Sequence, residues 1–162
     1  MACFFAVGPY WGGPGNPQVP GQSHKEGSHT MHVTGPFEVK LDPQKLSDPG
    51  QQGDLCRMLI EKHFKGDLEG IGKGEMLAFS SSVKGSAGYV ALEKVTGILQ
   101  GRKVSFALQH TGIMARGEPQ LTITVIPDSG TEELVGLTGT MMIKITEGKH
   151  FYEFDYSLRK AE

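Results

Sequence analysis

The sequence predicts an all-β fold, an eight-stranded antiparallel meander barrel behind a Gly- and Pro-rich N-terminal tail. Three observations predict it. Apolar and polar residues alternate with period two through most of the chain after residue 30, which is the signature of a strand with one covered face. The connections between these runs are short and rich in Gly, so consecutive strands must run antiparallel, because a parallel pair needs a crossover of about a dozen residues. Finally, no run holds a 3.6-residue period long enough for an ordinary helix.

Residues 1–29 carry Gly8, Pro9, Gly12, Gly13, Pro14, Gly15, Pro17, Pro20 and Gly21, which leave no period able to bury a face. They are expected to be a disordered tail, with the single barrel domain spanning 30–160. Met31 stands where the folded pattern begins, so a start there, with an upstream extension, is a second reading of this end. The first strand is read at Phe37, Val39 and Leu41, alternating with Glu38 and Lys40. The second follows at Cys56, Met58, Ile60 and Phe64. Gly66-Asp67 and the Gly70–Gly74 region are read as a turn leading into Glu75–Val83. Gly85 and Gly88 precede Tyr89–Leu99, and Gln100-Gly101 is a tight hairpin signal before Val104–Thr111. Leu121–Ile126, Met141–Thr146 and Phe151–Leu158 complete the set, the last two joined by Glu147-Gly148-Lys149. Between Ile126 and Met141 lies an unusual connector, Pro127 to Gly139. Its Pro-Asp-Ser-Gly turn leads to one helical turn ending at Leu134, cappable by Ser129 or Thr131. Closure into a barrel removes the exposed edges of such a meander and leaves an interior wide enough for side chains or one small ligand. A two-sheet sandwich is the alternative.

Composition narrows the function classes. Sixteen Lys and Arg against eighteen Asp and Glu give a net charge of -2 without clustering, so polyanion binding has no electrostatic basis and no nucleic-acid partner is expected. No apolar run reaches the roughly 18–20 residues that cross a bilayer, and the opening Ala2–Val7 is too short for a signal peptide core. No membrane association is expected. Cys3 and Cys56 share no motif spacing and are read as free thiols, hence a cytoplasmic protein. His29-x-x-His32 lacks further ligands, so no metal is expected. Gly70-x-Gly72-x-Gly74 lacks the helix that a dinucleotide site needs, and Ser80-Ser81-Ser82 lacks a nucleophile elbow. No cofactor is expected.

Several segments carry a resemblance. They are Phe64-Lys-Gly-Asp-Leu-Glu-Gly70, Gly74-Glu-Met-Leu77, Gly85–Glu93, Phe106-Ala-Leu-Gln-His110, Pro127-Asp-Ser-Gly-Thr with Gly136–Gly139, and Gly148-Lys-His-Phe-Tyr152. Together, over residues 31 to about 158, they resemble the domain-of-unknown-function family numbered three-two-two-four. That resemblance implies the eight-stranded barrel shared by allene oxide cyclase and dirigent proteins, and it implies no activity. Glu132 stands where the family pattern favours Gly.

Strand parity selects the groups able to do chemistry. With the apolar set of each strand inward, Lys62 joins Met58, Ile60 and Phe64 inside; Glu75 joins Leu77 and Phe79; Tyr89 and Glu93 join Ala91 and Val95; His110 joins Phe106 and Leu108; and His150, Tyr152 and Tyr156 join Phe154. A buried carboxylate must pair, shift its pKa or meet a wet cavity. Glu93 and His110 form the candidate catalytic pair, since the hairpin at Gln100-Gly101 opposes residues summing to about 201 and makes His110 the diagonal neighbour of Glu93. Lys62, Glu75, Tyr89, Phe106, Tyr152 and Tyr156 are the candidate ligand-lining residues. The leading reading is a barrel binding a small apolar or amphipathic molecule. A cofactor-independent isomerase or cyclase using Glu93 and His110 is the alternative, and a structural homo-oligomer with a filled barrel is a third.

Overall fold

The computed structural model describes residues 29–159, so the expected tail lies outside the described residues. Eight strands pair in sequence order and close on themselves: β1 (Met31–Gln44), β2 (Leu55–Phe64), β3 (Leu68–Ser80), β4 (Ala87–Leu99), β5 (Arg102–Ala115), β6 (Glu118–Val125), β7 (Leu137–Thr146) and β8 (Lys149–Leu158). Every pairing is antiparallel, and β1 completes the cylinder by pairing with both β2 and β8. The predicted barrel is the observed one. Apart from the five-residue helix α1 (Asp48–Gln52), the described residues hold only a 3-10 turn at Glu132–Leu134.

Three hairpins turn in two residues: Gln100-Gly101, Arg116-Gly117 and Glu147-Gly148. In each, both residues have positive φ. This is the turn whose twist matches that of the flanking strands.

The Pro127–Gly139 connector takes over a strand's role. Strand β6 pairs with β7 at Thr124↔Thr140. The connector instead runs along β5, with Ile126 N–H donating to Ala107 O and Thr131 N–H donating to Ser105 O. Ser129 Oγ accepts from Ala107 N–H at 3.0 Å and donates to Ile126 O at 2.6 Å. Thr131 stands at the N-cap of the 3-10 turn without a side-chain cap bond, so the capping expected of either residue gives way to bonds with β5 and the turn. Leu134 is fully buried. Glu132 has φ 57, the left-handed region that a Gly occupies without steric cost.

Two apolar clusters pack inside the cylinder. The larger, beside Leu134, contains Phe37, Phe64, Leu68, Leu99, Phe106, Leu137, Tyr152, Phe154 and Tyr156. The rings of Phe106, Phe154 and Tyr156 stack in succession, at 5.6 Å and 5.2 Å between centroids. The smaller cluster, toward the opposite end, is built from Met58, Ile60, Met76, Ala78 and Ala91. Half-buried Leu41, Cys56 and Tyr89 pack against it at the rim. One end is thus packed with aromatic rings, and the other is lined by small and flexible side chains under a partly covered rim.

Three expectations are corrected. Strand β3 begins at Leu68, so Gly70–Gly74 lie inside a strand and not in a turn. Its parity is also the reverse of that expected: Met76 and Ala78 are buried, whereas Leu77 and Phe79 are 43% and 44% exposed. Apolar residues on the outside of the barrel misled the inward assignment. Cys56 is disulfide-bonded and not a free thiol, which removes one support for a reducing compartment; Cys3 lies outside the described residues.

Candidate functional site: a buried Lys-Glu-His cluster

The register builds the site layer by layer. From the rim inward, one ring carries Cys56, Ala78, Tyr89, Gly112 and Leu121, and the next carries Met58, Met76, Ala91, His110 and Ile123. Below these come Ile60, Gly74, Glu93, Leu108 and Val125, then Lys62, Gly72, Val95 and Phe106. His110, Glu93 and Lys62 therefore descend a staircase across the inner wall. Lys62 and Glu93 sit on β2 and β4, with β3 between them. Opposite Lys62, β3 carries Gly72; opposite Glu93 it carries Gly74. With no side chain on the intervening strand, the ammonium and the carboxylate can meet across it.

They do meet. Lys62 Nζ donates to Glu93 Oε2 at 2.6 Å, and His110 Nε2 lies 3.0 Å from the same oxygen. All three residues are buried, at 5%, 1% and 2% exposure. A Cβ on Gly72 would run into Glu93 Oε1, so that oxygen lies against bare backbone. The Lys62 ammonium also sits over the rings of Phe37 and Phe64, at 5.5 and 5.8 Å from their centroids. The contact to His110 is close but poorly aimed, and Glu93 Oε1, His110 Nε2 and His150 Nε2 are buried without a well-directed hydrogen-bond partner. Buried polar atoms of that kind are scarce in proteins and call for an explanation.

The electrostatics fix the protonation pattern. Burial works to raise the Glu93 pKa, but the Lys62 ammonium and the adjacent His110 outweigh it and hold the carboxyl below its ordinary value. Burial lowers the His110 pKa; the neighbouring Glu93 opposes that shift and Lys62 reinforces it. His150 is lowered by burial and then by Lys62. Near neutrality the cluster is a carboxylate and two neutral imidazoles around one cation. Tyr89, four residues before Glu93 on the same face of β4, has its pKa driven up by burial and then by the Glu93 charge, so its hydroxyl stays protonated. Such a set can orient a ligand's polar group or relay a proton.

Of the sequence-predicted residues, the structure brings Lys62, Glu93 and His110 together, with Tyr89 above them at the rim. Glu75 is corrected: it faces outward, bonded to Arg57 Nε and Nη2 at 2.8 Å each, because β3 has the opposite parity. Phe106 is fully buried in the ring stack below the cluster. Tyr152 and Tyr156 are also fully buried and anchor toward the packed end. Tyr152 Oη accepts from Leu68 N–H and donates to Lys65 O, while Tyr156 Oη donates to Gln100 Oε1. His150 was placed inward by parity but not counted among the site residues; its signal was alternation with Tyr152 and Phe154. Among the described residues no group of His, Cys, Asp and Glu is arranged to hold a metal ion, and His32 Nδ1 pairs instead with Asp155. No helix among them is long and apolar enough to cross a membrane.

The model of the family described as "Protein of unknown function (DUF3224)" matches residues 33–156, which spans all eight strands. The chain belongs to this family. A solved structure of a DUF3224 protein of unknown function from Shewanella oneidensis MR-1 is 50% identical, with a TM-score of 0.78, over 82% of this chain and 100% of that one. No curated protein matches.

Proposed function

We propose that this DUF3224 barrel binds a small apolar or amphipathic molecule at its half-covered end, with the Lys62–Glu93–His110 cluster receiving the ligand's polar group. One observation carries the reading. The charged cluster lies in an otherwise apolar interior, built across glycines, and leaves the His110 and His150 Nε2 atoms without directed partners. A ligand hydroxyl or carbonyl would complete them, while Met58, Met76, Ala78 and Ala91 offer adaptable apolar contact. A filled structural barrel is the bland reading; it would be better served by a hydrophobic replacement, since a buried ion pair often costs as much in desolvation as it returns.

The test is titration with anilinonaphthalene sulfonate, alongside native mass spectrometry of the purified protein for a retained small molecule. Saturable one-to-one uptake is expected, weakened at least tenfold in Ala91→Phe, which fills the layer holding His110. Lys94→Ala, on the charged part of the outer wall, should bind as the wild type does. Absence of uptake, or an Ala91→Phe protein that is folded and binds normally, would overturn the reading.

A second reading follows from the 3.0 Å approach of His110 to Glu93: a cofactor-independent isomerase or cyclase in which this pair moves a proton. The closed eight-stranded meander is the support for grouping it with allene oxide cyclase-like barrels. Glu93→Gln separates the two, sparing affinity in a binder and abolishing turnover in an enzyme.

A further inference from the structure

The outer wall of β2–β5 carries a feature independent of the interior. Register places outward side chains in rows across these strands. One row holds Phe79, Gly88 and Ile113, the next Arg57, Leu77, Val90 and Thr111, and the third Leu59, Glu75, Leu92 and Gln109. A fourth row, Glu61, Lys73, Lys94 and the half-buried Ala107, is charged on β2, β3 and β4 and ends the patch there. Leu59, Leu77, Phe79, Val90, Leu92 and Ile113 are each between 38% and 58% exposed. Side chains of this size present on the order of 150–200 Å² when bare, so the six leave about 500 Å² of apolar wall in water, at the upper end of what a monomer shows.

We propose that this face is where a second copy of the chain docks, as a two-fold, face-to-face dimer. Two observations select a second copy. With the flanking Arg57, Glu75, Gln109 and Thr111, the face approaches the roughly 800 Å² that each partner contributes to a standard interface. Its only internal charges are one cation and one anion, the Arg57–Glu75 pair, 38% and 51% exposed. A two-fold interface must be complementary to itself, so residue i meets j and j meets i. A patch of one sign would repel its copy, whereas this one lets each Arg57 face the copy's Glu75.

Sedimentation equilibrium of the full chain in non-reducing buffer, with a non-reducing gel to show that no disulfide joins subunits, tests the proposal. A mass of two chains is expected at roughly 10–100 µM, a range in which even modest affinity populates a dimer. Val90→Lys with Leu92→Lys should raise the dissociation constant at least tenfold while far-UV circular dichroism remains that of the barrel. A wild-type monomer at about 100 µM, whether the face is bare or covered by residues 1–28, would overturn it. So would a dimer indifferent to the double substitution.

Discussion

Removing the Lys62 ammonium gives the most direct reading of the buried cluster. Lys62→Met keeps an unbranched apolar stem of similar length and leaves Glu93, 1% exposed, without its 2.6 Å partner. Breaking a buried pair from one side costs about 3–5 kcal/mol, because the remaining carboxylate must either stay charged in an apolar site or take up a proton. For a domain of this size, 1 kcal/mol moves the melting temperature by roughly 3–4 °C, so a fall of about 10–20 °C is expected. The double variant Lys62→Met with Glu93→Gln removes both charges and should lose at least about 2 kcal/mol less than the two single variants summed, which is the coupling a double-mutant cycle isolates. Urea unfolding followed by far-UV circular dichroism is the assay, since the single Trp, Trp11, lies outside the described residues. A cost below about 1 kcal/mol for Lys62→Met, or losses that simply add, would mean that the pair is not a coupled unit in solution.

Three further outcomes are expected. Gly72→Ala places a methyl group where Glu93 Oε1 lies and 3.1 Å from Phe64 Cε2, so it should cost about 1–3 kcal/mol in the same unfolding assay and raise the Glu93 pKa by displacing it from Lys62. Stability should fall with acid in two stages. His110 has a lowered folded pKa, so the unfolded chain takes up its proton first and stability declines as pH drops below the ordinary imidazole value; Glu93, also lowered, adds a loss below the ordinary carboxyl range. His110→Gln should reduce the first stage, which His150 shares, in a pH series of melting curves, and an unchanged profile would contradict the burial of a neutral imidazole at His110. Tyr152→Phe leaves the Leu68 N–H buried without its 2.8 Å acceptor, at about 1–3 kcal/mol by urea unfolding, and should not alter anilinonaphthalene sulfonate uptake at the other end of the barrel.

The architecture was legible because its signals are local. Alternation at Phe37–Leu41, turn residues at Gln100-Gly101 and Glu147-Gly148, and the short connections each state a constraint that the closed meander satisfies. What misread was β3. Its sequence, Leu-Glu-Gly-Ile-Gly-Lys-Gly-Glu-Met-Leu-Ala-Phe-Ser, offers glycines at the inward positions and Ile71, Leu77 and Phe79 at outward ones. An inside-out rule based on hydrophobicity therefore chooses the wrong face, turns three glycines into a loop and carries Glu75 indoors.

The same three glycines show why the site was only half legible. Glu93 and His110 are neighbours on one hairpin, and hairpin arithmetic is enough to pair them: Glu93 lies opposite Leu108 as expected. The partnership of Lys62 with Glu93 spans two strands, and a side chain on the middle strand would ordinarily forbid it. Gly-x-Gly-x-Gly in a strand is costly in backbone entropy and gives up apolar burial, so it persists where something must occupy the vacated volume. At Gly72 the occupant is the Glu93 carboxylate, whereas a Cβ at Gly70 or Gly74 would meet the β4 backbone. Period-two glycines flanked by strands that each carry one inward charge are thus a readable signature of a cross-strand ion pair. Gly72, opposite Lys62 on β2 and covered by the Glu93 carboxylate from β4, is the residue of the sequence that carries this signature.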